Sequence, residues 1–399
     1  MNYIRKADCS FCKGKLIKVV SLGKIPPVNF FPTPSQVSLI KKYALELVVC
    51  SKCELLQLST ILKPEKLFKD YHYLTSASKS LVKDLAELAT YCISEFNLGK
   101  NSRILDIGSN DGSFLQNFSG KSRIILGIDP SKEAGLIARK KGIVTKRKFF
   151  DLKTAKNILK KYGRFNLIAS IHNLANILDL NNFLAGIKLL LNPAGILVIE
   201  VADGEKMIQE GRFDSLYHEH YNYFSLPVLK RILGAHGLAV FKVKRNLKQG
   251  GSFRVFAKHA EKLSMVYPDV RLKKYQEYAK RVEQGKSKLL KVFAGLKGKT
   301  VIGIGASAKA VVLANLLGLN QSNITFITDS TIFKLGKLLP GTDIPVAPEA
   351  HLQGQTFQFA FIFAWNYQTE IISKLKKYAP LKVIIPFPEL KILNLQNPA

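Results

Sequence analysis

One stretch decides the fold of this 399-residue chain: Ile104-Leu105-Asp106-Ile107-Gly108-Ser109-Asn110-Asp111-Gly112-Ser113-Phe114. Its apolar start predicts a buried strand, and the glycines that follow let the backbone approach a ligand closely before a helix begins. Asp129 lies 21 residues beyond Gly108 and ends the next apolar run, where a carboxylate can accept hydrogen bonds from ribose hydroxyls. Together these features predict a nucleotide-type cofactor fold.

The composition of this loop favours S-adenosylmethionine (SAM) over NAD, although NAD would give the same order of strand, turn and strand. Asp-x-Gly-x-Asn-x-Gly is closer to SAM loops than to the Gly-x-Gly-x-x-Gly dinucleotide loop, and SAM has no pyrophosphate that needs a helix N-terminus. Phe149 and Phe150 are candidates for flanking the adenine, or for the core. The predicted cofactor-binding residues are Asp106, Gly108, Asn110, Asp111, Gly112, Asp129 and Pro130.

Strand and helix signals alternate around this loop, which predicts a parallel α/β sheet. Apolar runs at 104–107, 124–128, 167–170 and 196–201 predict strands, with helices over 131–141 and 182–191 between them. A hairpin predicted over 238–258, with Gln249-Gly250-Gly251 near its turn, suits the seven-stranded sheet of SAM methyltransferases. A further helix is predicted over 78–98, since Leu81, Leu85, Leu88, Cys92 and Phe96 fall on one face.

The rest of the chain predicts two more units of structure. Residues 267–296 form a long basic helical stretch, and residues 298–399 restart the α/β pattern with strands at 300–304, 324–328 and 359–363. We therefore predict a small N-terminal zinc-binding domain (1–70), a central Rossmann-like SAM methyltransferase domain (71–260) and a C-terminal Rossmann-like α/β domain with a leading helix (261–399).

The zinc prediction rests on two Cys-x-x-Cys pairs, Cys9 with Cys12 and Cys50 with Cys53. Each pair can place two thiolates on one edge of a zinc tetrahedron, and four thiolates close the site, so a structural ion is expected rather than a catalytic one. A redox pair or unpaired thiols is the alternative. The fifth cysteine, Cys92, lies on an apolar helix face and is expected in the core.

Composition narrows the class of protein. The chain has 60 Lys and Arg residues against 29 Asp and Glu residues, a net charge of +31, which is typical of a partner for a polyanion or of a lysine-rich solvated surface. The lysines are spread along the whole chain, which makes a nucleic-acid partner the weaker interpretation. No apolar run of about 18 residues predicts a membrane span. The N-terminal stretch lacks the apolar core of a secretory signal, so we expect a cytoplasmic protein.

A dense acid–base cluster lies at 214–224 and includes Tyr217, His218, Glu219 and His220. A histidine near neutral pKa can accept or deliver a proton, Glu219 could orient it, and Tyr217 could hydrogen-bond an oxyanion. An aromatic surface turn with incidental histidines, or a His-x-His metal site, are the alternatives.

Taken together, these motifs resemble the sugar C-methyltransferase family, which methylates nucleotide-linked 4-keto-deoxysugars. The resemblance covers essentially the whole length and is carried by the two cysteine pairs, the segment Tyr71-His72-Tyr73-Leu74-Thr75-Ser76, the loop from Asp106 to Phe114, Tyr217 to His220, Gln249-Gly250-Gly251-Ser252, Gly303-x-Gly305-Ala306-Ser307-Ala308-Lys309, Leu339-Pro340-Gly341-Thr342 and Trp365-Asn366. It implies the three-domain plan given above, with SAM and structural zinc as cofactors.

The resemblance also implies a reaction. A 4-keto group acidifies carbon 3 of the sugar, a base matching His220 removes that proton, and the enolate attacks the SAM methyl. Tyr217, Glu219 and Tyr73 match neighbouring active-site positions. The glycine turn from Gly303 to Lys309 would help to hold the nucleotide diphosphate, with Lys309 or Lys334 as phosphate partners, unless it is only a structural Rossmann-like unit.

One position departs from the family. Its usual Asn-x-x-x-His after the fourth strand is replaced by His172-Asn173-Leu174-Ala175-Asn176, in which the two residue types are exchanged. Asn176 could hydrogen-bond a keto oxygen but could not carry a proton. Two alternatives stay open: a zinc-containing RNA-modifying or RNA-binding protein, and an inactive family member that only binds a ligand. The sequence indicates neither the nucleotide nor the oligomeric state.

Overall fold

The computed structural model describes residues 3–68, 73–247, 250–264, 267–268 and 270–396. The N-terminal part consists mainly of short strands, because prolines and the cysteine turns interrupt it. Its elements are β1 (Tyr3–Arg5), β2 (Leu16–Ile25), β3 (Tyr43–Cys50), β4 (Leu56–Leu58), β5 (Thr60–Leu62) and α1 (Pro64–Phe68). Strands β2, β3 and β4 form an antiparallel sheet, and β1 pairs with β5.

The central part contains a seven-stranded sheet with helices on its faces. Its elements in chain order are α2 (Lys79–Glu95), β6 (Arg103–Ile107), β7 (Ile124–Ile128), α3 (Lys132–Lys140), β8 (Val144–Lys146), α4 (Leu152–Tyr162), β9 (Phe165–Ile171), α5 (Leu180–Leu190), β10 (Leu191–Ala202), α6 (Gly204–Gln209), β11 (Asn222–Tyr223), α7 (Leu226–Ala235), β12 (Leu238–Asn246) and β13 (Ser252–His259). Strand β11 leaves this sheet and pairs with β4, which extends the N-terminal sheet.

The order of the seven strands is β12-β13-β10-β9-β6-β7-β8. Strand β13 runs antiparallel to both of its neighbours, β10 and β12, and the other neighbouring strands are parallel. The predicted parallel strands and the terminal hairpin are confirmed. Because β6 has β7 on one side and β9 on the other, the chain direction of the crossovers reverses there. Ligands of open α/β sheets bind beyond the carboxyl ends of the strands at such a point.

The C-terminal part is a second α/β unit behind a long helix. Its elements are α8 (Lys273–Gly295), β14 (Val301–Ile304), α9 (Ala308–Leu317), β15 (Ile327–Thr328), β16 (Val346–Ala347), β17 (Phe359–Ile362), α10 (Gln368–Leu375), β18 (Leu381–Ile385) and β19 (Lys391–Leu395). The strand order is β16-β15-β14-β17-β18-β19, with β14 at the switch point and β19 antiparallel. The strand predicted at 324–328 is shorter than expected, since it begins at Ile327.

The parts pack against one another through apolar side chains. One buried cluster runs from the N-terminal sheet through Phe213 and Tyr221 to Tyr278 of α8 and on to the C-terminal sheet. The predicted face of α2 is confirmed, because Leu81, Leu85, Leu88 and Cys92 are buried in a second apolar cluster. Phe96, just after the helix, packs against that second cluster. The domain limits 1–70, 71–260 and 261–399 remain a proposal. No helix within the described ranges is long and apolar enough to cross a membrane.

Candidate active site and metal centre

The four paired cysteines converge at one point. Their sulfur atoms lie within 4.8 Å of one another, with Cys9 Sγ 3.6 Å from Cys53 Sγ and Cys12 Sγ 3.4 Å from Cys50 Sγ. A tetrahedral zinc ion with Zn–S bonds of about 2.3 Å separates its sulfurs by roughly 3.8 Å. The donor set and its spacing therefore fit structural zinc.

Neighbouring groups support thiolate ligands at this centre. The backbone N–H groups of Phe11 and Lys52 donate to Cys9 Sγ and Cys50 Sγ at 3.4 Å each, and Gln57 Nε2 donates to Cys9 Sγ at 3.1 Å. Hydrogen bonds to sulfur favour its charged form. A Cβ on Gly14 would lie 2.8 Å from Cys50 Sγ, so this turn needs a glycine for the close approach.

The metal centre is docked on the central part of the chain. Arg231 Nη1 donates to Cys53 O at 2.9 Å, and Asn181 Nδ2 donates to Phe11 O at 3.0 Å. Both donors belong to helices or helix starts beside the seven-stranded sheet. Zinc bound here would hold the N-terminal strands in place against the wall of the cavity described next.

A cavity of about 850 Å³ lies where the three parts meet. This volume is within the range of about 300–1,000 Å³ typical of small-molecule sites. The N-terminal part contributes Asn29 and Phe31. The central part contributes the end of β6 and the residues Asp129, Pro130, Phe149, Phe150, Tyr217, Glu219 and His220. The C-terminal part contributes the loop after β14 together with Lys309 and Lys334.

The loop after β6 has the backbone that the sequence predicts for a cofactor loop. Gly108 and Gly112 adopt φ values of +81° and +76°, a region that favours glycine. A Cβ on Gly108 would lie 2.6 Å from Asn173 Cγ, so the loop must pass close to the end of β9. Gly108 lines the cavity, whereas Gly112 packs towards Ile143 and Ala138 instead.

Two carboxylates mark the cofactor side of the cavity. Asp129 Oδ2 accepts from Asn110 N at 2.9 Å and Oδ1 from Ser131 N at 2.8 Å, which fixes its orientation at the end of β7. Asp106 is buried, and its Oδ1 has no hydrogen-bond partner among the residues that the structure describes. Burial, together with the charge of Asp129, raises the pKa of Asp106 to about 8. A cationic ligand group at Oδ1 would satisfy this atom.

Asn110 lines the cavity, whereas Asp111 does not, and the side chains of both residues bind another segment of the chain. Asn110 uses its side-chain amide, and Asp111 its carboxylate, to bind backbone groups of residues 73–76. Asp111 is fully buried and is absent from the cavity wall. Tyr73 lines the cavity beside them, while Tyr71, His72 and Gln249 lie outside the described residues.

The predicted acid–base residues meet on the opposite wall. Tyr217 Oη lies 2.9 Å from His220 Nε2, and Asn29 Nδ2 donates to Glu219 Oε1 at 3.2 Å. Burial raises the pKa of Glu219 to about 7, whereas burial and the charge of Lys309 lower the pKa of His220 to about 3. His220 is therefore neutral at pH 7 and able to accept a proton. His218 faces away from the cavity, towards Ala44 O at 3.3 Å.

A buried carboxylate behind this wall was missed by the sequence analysis. Glu200 on β10 is fully buried and accepts from Arg254 Nε at 2.6 Å and from Asn246 Nδ2 at 2.8 Å. Burial alone would raise the pKa of Glu200, but His172 and Arg254 hold it at about 2. An acidic residue inside the apolar run 196–201 is a signal that could have found it, because a buried charge needs a partner.

The exchanged residues of the family motif both line the cavity. His172 Nε2 lies 3.3 Å from Glu200 Oε1, and the backbone φ of His172 is +52°. Asn176 Oδ1 is buried, with no hydrogen-bond partner in the described part of the chain. The chain therefore keeps one imidazole and one amide in this corner, with their positions exchanged.

The C-terminal wall carries lysines that are each paired with or placed near a carboxylate. Lys309 is buried at the start of α9, its Nζ is 5.7 Å from the Trp365 ring centroid, and burial lowers its pKa. Asp214 compensates its charge and accepts from Trp365 Nε1 at 2.6 Å. Lys334 Nζ bonds Asp329 Oδ2 at 3.0 Å and Ala306 O at 2.9 Å.

Comparison with known proteins accounts for each part of the chain. Residues 9–68 match a family model described as a putative zinc binding domain, residues 73–243 a methyltransferase domain, and residues 248–388 a C-methyltransferase C-terminal domain. In this order, the three matches support a SAM-dependent C-methyltransferase. The family resemblance drawn from the motifs is thereby confirmed, and so are SAM and structural zinc as the cofactors of this C-methyltransferase.

A curated relative agrees with this assignment. The C-methyltransferase NovU of Streptomyces niveus is 29% identical over 98% of this chain and 97% of its own length. Two solved structures show a partial likeness that covers 45% of this chain. One is an S-adenosylmethionine-dependent methyltransferase from Clostridium acetobutylicum (TM-score 0.37, 15% identity, 45% of this chain and 92% of that chain). The other is the magnesium protoporphyrin IX methyltransferase of Synechocystis (TM-score 0.36, 14% identity, 45% and 83%).

Proposed function

We propose that this C-methyltransferase deprotonates carbon 3 of a nucleotide-diphosphate 4-keto-deoxysugar and methylates the resulting enolate. One observation carries the proposal: the cofactor loop, the Tyr217–His220 pair and the buried Lys309 all line the same cavity. These three features match the methyl donor, the reacting sugar carbon and the diphosphate. Enolisation must come first, because a saturated carbon is a poor nucleophile.

On the cofactor side, the residues present fit SAM. Asp129 would accept from the ribose hydroxyls, and Asp106 Oδ1 would accept from the ammonium group of the methionine moiety. Gly108 allows the loop to pass close to Asn173 at the edge of the cavity. When bound, SAM supplies an electrophilic methyl group.

On the sugar side, His220 is the proposed base. Its imidazole is neutral at pH 7, and Nε2 can accept the carbon 3 proton once the Tyr217 hydroxyl turns from Nε2 to the keto oxygen. Tyr217 would then donate to the oxygen that gains charge in the enolate. Glu219, Tyr73 and Asn176 line the same cavity, and we assign them to orienting the sugar.

The diphosphate would bind at the start of α9. Lys309 and the helix N-terminus both favour an anion there, and the buried Ser307 Oγ has no hydrogen-bond partner among described residues. A bound diphosphate would offset the charge of Lys309, which lowers the pKa of His220 in the free protein. Substrate binding would thus make His220 a stronger base. The thiol-rich metal centre supports a cytoplasmic location for this chemistry.

The test is incubation of the zinc-loaded protein with SAM and a panel of nucleotide 4-keto-6-deoxysugars in heavy water, followed by mass measurement of each sugar. A methyl gain on one member is expected with the wild-type protein. The variant His220→Asn should lose this gain. Deuterium uptake at carbon 3 without methyl gain would mean that the base works on a sugar that is not the methyl acceptor. Neither change on any member, with SAM still bound, would refute the proposal for the sugars tested.

A further inference from the structure

Asn110 connects the cofactor loop to the chain segment that carries Tyr73. Its side-chain Oδ1 accepts from Thr75 N at 2.9 Å, and its Nδ2 donates to Tyr73 O at 2.9 Å. Both ends of the amide are thus engaged with residues 73–75, 35 and 37 positions away in sequence. The left-handed backbone of Asn110, with φ of 46°, allows the side chain to turn towards this segment.

The backbone of the same residue holds the carboxylate proposed to bind the cofactor ribose. Asn110 N donates to Asp129 Oδ2 at 2.9 Å, and Asp129 lines the cavity. A single residue therefore lies between the ribose acceptor and the Tyr73 segment. Any ligand that fixes the Asp129 carboxylate also fixes the backbone from which the Asn110 side chain extends.

Asp111 provides a second connection of the same kind. Its Oδ2 accepts from Ser76 N at 2.8 Å, while Ser113 Oγ donates to its Oδ1 at 2.6 Å. Lys141 Nζ lies 3.5 Å from Oδ1 and compensates the buried charge. Because Asp111 is fully buried and outside the cavity wall, its carboxylate serves the 73–76 segment.

We propose that Asn110 is a positioning residue that couples cofactor binding to the placement of Tyr73 on the sugar side of the cavity. The inference rests on the proposed function, since it takes Tyr73 as part of the sugar site. Cofactor on Asp129 stabilises the Asn110 backbone, and the amide then holds residues 73–75 against the loop. Coupling of this kind is reciprocal, so a sugar nucleotide bound against Tyr73 must tighten cofactor binding by the same factor.

Amide hydrogen exchange of the full-length, zinc-loaded protein tests the coupling directly. The amides of Thr75 and Ser76 are the donors to Asn110 and Asp111, so their exchange rates report the two connections. We expect S-adenosylhomocysteine to slow exchange of the Thr75 amide by at least about fivefold, the lower end of usual coupling factors. Unchanged exchange on ligand binding would overturn the proposal.

Two variants separate positioning from cofactor binding. Asn110→Gly removes the amide and tolerates the left-handed backbone, so the slowing should vanish while the affinity for S-adenosylhomocysteine changes by less than about tenfold. Asn110→Asp keeps an acceptor for Thr75 N and should retain part of the slowing. Loss of S-adenosylhomocysteine binding in Asn110→Gly would instead place Asn110 in the cofactor site itself and overturn the proposal.

Asn117→Ala is the matched control, because Asn117 follows the same loop but its side chain, among the residues that the structure describes, donates to Ser113 O and Phe114 O and not to residues 73–76. It should keep the full slowing. The exchange readout needs no sugar, so failure of the methylation assay leaves it decisive. Where a sugar is methylated, Asn110→Gly should raise KM for that sugar more than KM for SAM, a split that a general loss of fold would not produce.

Discussion

Tyr217 Oη and His220 Nε2 share a hydrogen bond of 2.9 Å, and the two ring centroids are 4.2 Å apart. The pair spans a single turn, in which His220 N also donates to Tyr217 O at 3.1 Å. Both side chains line the cavity, so a substrate oxygen can compete with His220 for the tyrosine hydroxyl. When the Tyr217 hydroxyl donates to a substrate oxygen instead, His220 Nε2 becomes free to accept a proton.

The first prediction concerns this pair. His220→Asn should lower the rate of methyl transfer by at least about 100-fold, since general base catalysis contributes typically 10²–10⁴. Tyr217→Phe should lower kcat more than it raises KM, because its hydroxyl acts on the developing enolate. The measurement is kcat and KM for the sugar at saturating SAM.

The control for both variants is His351→Asn, an exposed histidine outside the cavity wall, which should keep wild-type rates. Methyl transfer by His220→Asn at the rate of this control would rule out His220 as the base.

The second prediction is that Glu219→Gln changes how stability depends on pH. The pKa of Glu219 is raised to about 7 by burial, while an unfolded glutamate titrates near 4.3, so between these values the folded protein retains a proton that the unfolded chain loses. The free energy of unfolding must then fall as pH rises through this window, by roughly 4 kcal/mol in total. Glu219→Gln removes this loss.

Thermal midpoints at pH 5 and pH 8 provide the measurement. The variant should gain stability relative to wild type on going from pH 5 to pH 8. Parallel curves for the two proteins would show that Glu219 is already ionised in the folded state.

The third prediction concerns Lys309. Lys309→Met should raise KM for the nucleotide sugar by about tenfold or more, because charge-assisted contacts to phosphate are lost. It should also raise the pKa of His220 towards its usual range, since burial would then lower this pKa without the added effect of the Lys309 charge. Steady-state kinetics across pH would show a larger KM. The fall of the methylation rate at acid pH would begin at a higher pH than in wild type.

Lys382→Met, an exposed lysine on β18, is the matched control and should leave both quantities unchanged. An unaltered KM in Lys309→Met would argue against a diphosphate at the start of α9.

The fourth prediction is that the metal centre depends on all four paired cysteines. Cys50→Ser should reduce bound zinc from about one ion per chain to a small fraction and should lower the thermal midpoint, because structural zinc contributes directly to folding. Elemental analysis of the purified protein measures the first effect.

Cys92→Ala is the control for this loss, since Cys92 lies on the buried face of α2 rather than at the metal centre. It should retain zinc whatever it does to stability. Full zinc content in Cys50→Ser would mean that this cysteine is not a ligand.

Much of the fold could be predicted because its signals are local. The strand before Gly108, the apolar face of α2 and the hairpin of β12 and β13 each depend on residue spacing within one or two elements. The short strand β15 was predicted too long. Ile324 and Phe326 are buried and Thr325 N donates to Val301 O at 2.9 Å, but the paired residues of the strand begin only at Ile327. Burial and strand pairing are different properties, and an apolar run reports only the first.

The sequence predicted many of the residues that line the cavity, but not the direction in which their side chains turn. Asn110 and Asp111 belong to the cofactor loop by pattern, yet their side chains bind residues 73–76. A loop motif fixes backbone shape through its glycines, whereas the partner of each side chain depends on which segment packs above the loop. Glu200 and Asp214 were missed for the same reason, as their partners lie far away in sequence.

The sequence by itself determined the cofactor loop, the four thiol ligands and the acid–base turn, because each is encoded by residues a few positions apart. Only the tertiary structure decided that these features share one cavity. Asn29 reaches Glu219 across 190 residues, and Trp365 reaches Asp214 across 151. Such contacts exist only after the apolar cores have packed the three parts together, and burial in that packing is what shifts the pKa values of Asp106, Glu219 and His220.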